Sequence, residues 1–264
     1  MIKIAVIGVT GLLGHMLTAY LEKCGCDIVR ISRSEFDIIA DDFSQIEPYL
    51  DGADYIINCA GIIKPLVQYV AVENVLLVNT VFPQNLAVYS SKTISKCIHI
   101  STDCVYSGSK GKYTENDSFD ARDVYGMSKV GGESGDLMVL RTSIIGPEKY
   151  HNRSLLEWAK SRSGTKVDGY LNHYWNGLTT LYLSEVIFNI IMNGDFRIGT
   201  YHIHSPDVVS KFQLLEYFNQ IFQLNLTITP VNGPEYCDRS LSSLNKLSSK
   251  YVTKTIFQQV AELA

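Results

Sequence analysis

Short runs rich in β-branched residues recur along the chain at 2–7, 27–31, 55–58, 96–101 and 137–141, and helix-patterned segments separate them. Strand and helix alternating at this spacing predict parallel strands joined by crossover helices, with both faces of the sheet covered. One of the intervening segments, 70–91, carries an apolar stripe along its length and predicts a long helix. From about position 143 the rhythm loosens. The pattern there predicts a helix at 155–161, an amphipathic helix at 181–192, a strand at 199–204 and a helix at 211–222. The expected architecture is α/β: a doubly wound parallel sheet from 1–143, then a smaller C-terminal lobe from 144–264, some of whose segments return to the sheet.

Composition narrows this picture. The 264 residues allow one large domain or one domain with an appendage, and 46% hydrophobic with 19% charged residues describes a soluble globular chain. A net charge of −4 argues against a general electrostatic grip on nucleic acid or an anionic membrane. The apolar start is interrupted by Gly8, Gly11 and Gly14, so it reads as a first strand and not as a secretory segment, and no apolar run is long enough to span a bilayer. The expected location is cytoplasmic. Six cysteines without a C-x-x-C pair are expected to be reduced, and the Asn-x-Ser/Thr triplets at Asn116, Asn152 and Asn225 to be chance matches.

The first candidate chemistry is Gly8-Val-Thr-Gly11-Leu-Leu-Gly14, directly after the first strand and opening a helix at Leu12. Glycines at this spacing permit a tight turn, let backbone approach a pyrophosphate and bring helix against strand, while the helix N-terminus offers free N–H groups. This turn makes the sheet Rossmann-type and the first part of the chain dinucleotide-binding. The 2′ position of the cofactor is read about 20 residues further on. There stand Ser32, Arg33 and Ser34, suited to a 2′-phosphate and so to NADPH, but also Glu35 and Asp37, suited to a ribose hydroxyl and so to NADH. The reading favoured is NADPH.

The second is Tyr125-Gly-Met-Ser-Lys129, a phenol and an ammonium one helical turn apart. A free phenol titrates near 10, so a tyrosine exchanging protons with an alcohol near neutrality needs a cation such as Lys129 to favour the phenolate. Upstream, Ile98-His-Ile-Ser101-Thr102-Asp103 ends a buried strand. Ligands of doubly wound sheets bind beyond the carboxyl ends of the strands, which places the Thr102 hydroxyl where it polarises a carbonyl.

Glycine turn, strand-end hydroxyl, tyrosine and lysine in this order resemble the extended short-chain dehydrogenase/reductase superfamily, and within it the dTDP-4-dehydrorhamnose reductase branch. The likeness extends to Asn58-Cys-Ala-Gly61, Val78-Asn79 with Phe82-Pro83, Ile100-Ser-Thr-Asp-Cys-Val-Tyr-Ser-Gly108, Tyr113-Thr-Glu115, Arg141-Thr-Ser143 and Trp175-Asn-Gly-Leu-Thr-Thr180. The resemblance implies Thr102, Tyr125 and Lys129 as the catalytic trio. It implies a cofactor lined by Gly8, Thr10, Gly11, Leu12, Leu13 and Gly14, by Ser32, Arg33, Ser34, Asp37 and Ile38, by Cys59, Ala60, Gly61 and Asn79, and by Tyr125 and Lys129. For the substrate it implies Thr102, Asp103, Cys104, Tyr125, Trp175, Asn176 and Arg239. The implied reaction is hydride transfer to the C4 ketone of a nucleotide-linked 6-deoxy sugar, with Tyr125 protonating the alkoxide.

The chain departs from the family in two places. Dehydratases of the superfamily read Thr-Asp-Glu where this chain has Thr102-Asp103-Cys104, and the missing Glu argues for reduction over dehydration. The reductase motif carries an aromatic at Cys104 and an acid at Ser107, so the sugar is left open. No metal is expected: His202-Ile-His204 pairs two imidazoles without a third ligand. Cys24-Gly25-Cys26 reads as a helix end. Arg141 and Arg239 are open between diphosphate contacts and ordinary ion pairs, and Trp175 between ligand contact and core anchor. Two further readings share these residues: an NAD-dependent nucleotide-sugar epimerase, and a non-catalytic dinucleotide-binding subunit resembling the regulatory subunit of methionine adenosyltransferase. The latter calls for an apolar C-terminal tail free to insert into a partner, against which 257–264 also reads as a packed terminal helix. In this superfamily the helix at 70–91 often contributes to a homodimer, and its other role is to cover the sheet.

Overall fold

The computed structural model describes residues 1–149 and 153–264, so the triplet at Asn152 lies outside the described residues. The chain opens with β1 (Lys3–Ile7), α1 (Gly14–Lys23), β2 (Asp27–Ile31), a short α2 (Glu47–Leu50) and β3 (Tyr55–Asn58). The long helix expected at 70–91 comes in two halves, α3 (Val72–Leu76) and α4 (Phe82–Ser91), joined by a π-helical turn at Leu77–Val81. Then follow β4 (Lys96–Thr102), α5 (Val124–Gly131) and β5 (Met138–Thr142). The later part holds β6 (Ile144–Ile145), α6 (Leu155–Ser161), β7 (Lys166–Tyr170), β8 (His173–Trp175), β9 (Leu178–Thr179) and α7 (Thr180–Met192). It ends with β10 (Gly199–His202), β11 (Val209–Ser210), α8 (Lys211–Phe222), β12 (Thr227–Val231), β13 (Cys237–Asp238), α9 (Leu247–Tyr251) and α10 (Ile256–Ala261).

Six strands form one parallel sheet in the order β2-β1-β3-β4-β5-β10. Both faces are covered, which is why the strands are near-continuous apolar runs and do not alternate. Ile4 and Val6 point into one layer with Leu17 and Leu21 of α1 and Val186, Ile187 and Ile190 of α7. Ala5 and Ile7 point into the other with Leu86 of α4, Ile56 and Val139. At roughly 1.5–3 kcal/mol for each fully buried aliphatic side chain, the apolar stripe of α7 is enough to anchor that helix on the sheet. Residues 180–202 are thus the later segment that returns to the sheet.

The remaining later segments surround a separate apolar cluster built on Leu156, Leu214, Leu215, Phe218, Ile256 and Val260. Small sheets (β7 with β12; β8 with β11 and β13) frame it. Capping boxes at Ser210/Gln213 and Thr255/Gln258 fix the starts of α8 and α10. The helix α10 buries Ile256 and Val260 in this cluster and Leu263 packs against it, so this segment forms a packed helix. Gly25, at a φ of +82°, closes α1 as expected for a helix end. The six cysteines are unpaired.

Candidate active site

The strand order reverses between β1 and β3, and at such a switch point a crevice opens beyond the carboxyl ends of the strands. The glycine turn lies there. A Cβ at Gly14 would stand 2.0 Å from the Gly8 carbonyl oxygen, and one at Gly8 (φ +83°) would meet the Ala60 nitrogen at 2.8 Å. The turn therefore closes only with glycine and lies flush against the Cys59-Ala60-Gly61 segment. The helix expected from Leu12 starts at Gly14, and no side chain caps its first turn. Apart from the His15 N–H, which donates to the Gly11 carbonyl at 3.2 Å, the N–H groups of this first turn at the mouth of the switch point suit a pyrophosphate. Leu13 is a correction: its side chain is core, leaving only its backbone to face a ligand.

At the end of β2 the acids are engaged locally. The Glu35 carboxylate accepts from the Ser32 N–H and the Ser34 hydroxyl, both at 2.8 Å, and these bonds hold it down at about 2. Asp37 accepts from the Ile39 N–H at 3.0 Å. Arg33 is exposed, and no bond or ion pair to it is found among the described residues. The basic group is thus the one left available for a 2′-phosphate.

Thr102 ends β4 and Tyr125 opens α5. They meet because Gly126 packs onto the Cys104 carbonyl, where a Cβ would come within 2.4 Å. Asp123 caps α5 by accepting from the Gly126 N–H at 2.9 Å, and Lys64 pairs with the same carboxylate at 2.6 Å. The Thr102 hydroxyl accepts from the Cys104 N–H at 3.1 Å. Burial raises the Tyr125 phenol above its ordinary range, with Cys104 and Asp103 adding to the shift and the Thr102 hydroxyl opposing it. Lys129 is not turned to the phenol. Its Nζ donates to the Ile100 carbonyl at 2.8 Å and lies 3.3 Å from His99 Nε2, and burial pulls it down to about 8 against the opposing pull of Glu133 and Cys59.

Several positions that patterning alone passes over hold this constellation. The π-helical turn carries Asn79, fully buried, whose Oδ1 accepts from the Ile62 N–H and whose Nδ2 donates to the Ile62 carbonyl and the Ser128 hydroxyl. Asn79 is therefore corrected from a cofactor contact to a tie between the β3 loop and α5. Asn58 and His99 are register neighbours on β3 and β4, with Nδ2 and Nδ1 3.1 Å apart. Glu133, one turn beyond Lys129, makes a buried ion pair with Arg141 at 2.5 Å and accepts from the Ser101 hydroxyl at 2.6 Å. Arg141 continues to the Tyr106 hydroxyl at 2.9 Å and to His202 Nε2 at 3.2 Å, which makes it an internal tie and not a diphosphate ligand. His202 Nδ1 faces the Tyr113 and Ser242 carbonyls while His204 bonds the Ser205 carbonyl, and no metal-binding group of three occurs among the described residues.

On the substrate side, Asp103 is buried, and that burial raises its carboxyl against the opposing pull of Arg239. Arg239 reaches this place by donating to the Tyr106 carbonyl at 2.9 Å. Where the family motif has an acid at Ser107, the Asp120 carboxylate accepts from the Ser107 N–H and hydroxyl. Trp175 lies half-buried against the lobe cluster. Asn176 is a correction: both polar atoms of its amide are spent on the Leu241 backbone at 2.8 Å, a tie within the lobe.

The family model described as RmlD substrate binding domain matches residues 2–260. Among curated relatives, the dTDP-4-dehydrorhamnose reductase of Aggregatibacter actinomycetemcomitans is 30% identical over 226 residues, covering 80% of this chain and 76% of that protein. The spore coat polysaccharide biosynthesis protein SpsK of Bacillus subtilis is 23% identical over 255 residues, covering 91% and 86%. A solved dTDP-4-dehydrorhamnose reductase from Bacillus anthracis, in complex with NADP, matches the fold at a TM-score of 0.84 and 20% identity, covering 100% of this chain and 98% of that one.

Proposed function

Because the chain belongs to the RmlD substrate binding domain family, we propose that it is an NADPH-dependent reductase of the 4-keto group of a nucleotide-linked 6-deoxy sugar, acting in nucleotide-sugar biosynthesis. The observation that supports this reading is the contact of the Thr102 hydroxyl with the Tyr125 phenol, with Lys129 one turn further along α5, on a sheet whose switch point carries the glycine turn. The chain would divide in use, 1–143 binding the dinucleotide and the lobe within 144–264 closing over the sugar.

The fit to a dinucleotide rests on the uncapped first turn of α1 and on a turn that only glycine closes. The α1 N–H groups would hold the pyrophosphate, Arg33 with Ser32 and Ser34 the 2′-phosphate, and Lys129 the nicotinamide ribose. Bound NADPH supplies the hydride. Thr102 donates a hydrogen bond to the ketone oxygen and polarises it. Tyr125 delivers its proton to the same oxygen as negative charge develops there, and its raised affinity for a proton keeps the phenol in the donating form beforehand. Asp103 and Arg239 border the place where the sugar and its diphosphate would lie. Cys104, where dehydratases hold a Glu, leaves no acid at that position to expel water.

A homodimer is part of the proposal. Leu77, Val81 and Val88 follow one another at helical spacing on an exposed apolar face, and Met127 of α5 is exposed as well. The function is tested by following loss of NADPH absorbance with dTDP-4-keto-6-deoxyglucose and its epimers as substrates. Stoichiometric oxidation with formation of a dTDP-6-deoxyhexose is expected. Retained NAD+ with substrate epimerisation and no net oxidation would replace this reading with the epimerase.

A further inference from the structure

Behind Lys129 runs a chain of polar groups whose two ends cannot reverse. The Ala60 N–H, which can only donate, gives its proton to Asn58 Oδ1 at 3.0 Å. That fixes the amide, so Asn58 Nδ2 faces His99 Nδ1 at 3.1 Å as a donor. His99 is fully buried, and burial holds it well below the usual imidazole range, so the ring is neutral and carries one proton. With Nδ1 accepting, that proton belongs on Nε2, which points at Lys129 Nζ across 3.3 Å. At the far end Nζ meets the Ile100 carbonyl at 2.8 Å, which can only accept.

An ammonium has three donors and no acceptor, so it would oppose the His99 N–H head-on. A free amine has the lone pair this place requires, and it still donates to Ile100. The geometry points to His99 as a positioning residue that, through its Nε2–H, stores Lys129 as the neutral amine on β4 and releases it when the nitrogen takes up a proton. The groups around Nζ are Glu133 just past the end of its own helix, Cys59 beyond β3 and His99 on β4. Glu133 and Cys59 favour the charge, while burial and the His99 N–H oppose it. Burial, against the opposing pull of Glu133 and Cys59, brings Lys129 to about 8, and a donor aimed at its lone pair moves the balance further toward the amine.

The inference rests on the proposed role of Lys129 in holding the cofactor. An anionic dinucleotide would then draw one proton from solvent onto Nζ, which breaks the His99 bond and frees the side chain from β4. Two measurements on the full chain test it. Two-bond proton–nitrogen spectra of protein carrying nitrogen-15 histidine, with His99 assigned by its loss in His99→Asn, report which ring nitrogen is protonated at neutral pH. The Nε2–H tautomer is expected; an Nδ1–H tautomer or an imidazolium overturns the proposal. Calorimetric titration with NADP+ in buffers of different ionisation enthalpy should show net proton uptake in the wild type and none in Lys129→Met. Binding without uptake, or uptake that persists in Lys129→Met, overturns it. Failure of NADP+ to bind would instead overturn the cofactor reading and leave the tautomer result to decide the role of His99.

Discussion

Replacing Glu133 with alanine strands a guanidinium inside the protein. The side chains of Glu133 and Arg141 are each 4% exposed, and three short bonds join them. Without Glu133 the charge of Arg141 keeps only neutral partners, the Tyr106 hydroxyl and His202 Nε2, and the Ser101 hydroxyl loses its acceptor. Removing one member of such a buried pair costs about 3–5 kcal/mol. At about 2–4 °C per kcal/mol for a protein of this size, the melting temperature should fall by about 6–20 °C. The surface pair Lys64–Asp123, with side chains 49% and 42% exposed, sets the contrast. Breaking it with Lys64→Ala should cost at most about 1 kcal/mol. Thermal unfolding followed by circular dichroism reads both variants. The double variant Glu133→Leu with Arg141→Leu removes both charges and should be less damaging than Glu133→Ala with Arg141 left in place. A loss under about 1 kcal/mol in Glu133→Ala would refute the reasoning, as would a double variant worse than the sum of its singles.

Two further outcomes follow from the site. Arg33→Ala should raise KM for NADPH about tenfold, the loss of roughly 1–2 kcal/mol of charge-assisted bonding at an exposed position, and leave the KM for NADH nearly unchanged; equal losses for both cofactors would assign Arg33 to the surface. Lys129 is depressed to about 8 from an ordinary 10.5, so between those values the unfolded chain binds more protons than the folded one and stability attributable to this group rises with pH. The stability difference between wild type and Lys129→Met, from urea unfolding at several pH values, should therefore move in favour of the wild type from pH 8 to 10. A flat difference would mean that Lys129 is not depressed.

The sheet was legible because five strands and their crossover helices each repeat a pattern that burial on two faces imposes, and β2 and β3 match their expected limits to the residue. The places of Thr102, Tyr125 and Lys129 in the fold were legible because Tyr125 and Lys129 share one helix and Thr102 ends a strand whose place in the sheet topology rules decide, whereas the turn of Lys129 toward Ile100 and His99 was not. What patterning missed are tertiary ties. Asn79 reads as a ligand contact, and only the π-helical turn reveals that its amide is consumed by Ile62 and Ser128. The partners of Arg141 are Glu133 just past α5, Tyr106 in the segment after β4 and His202 at the end of β10, at sequence separations no local pattern links. A signal was present all the same: Asn58, His99, Arg141 and His202 are polar residues inside or ending apolar strands, and a buried polar group in such a run needs a partner. The lobe was less legible because its strands are two to five residues long and its core is assembled from separated segments.

The central claim is that Tyr125 protonates a ketone reduced at this site. Its most direct test is single-turnover NADPH oxidation with dTDP-4-keto-6-deoxyglucose in wild type and Tyr125→Phe, with the NADPH dissociation constant measured alongside by fluorescence. The account predicts a rate reduced by about 10²–10⁴-fold, the usual worth of a positioned general acid, with NADPH affinity changed by no more than about twofold. A Tyr125→Phe protein that turns over near the wild-type rate would contradict it.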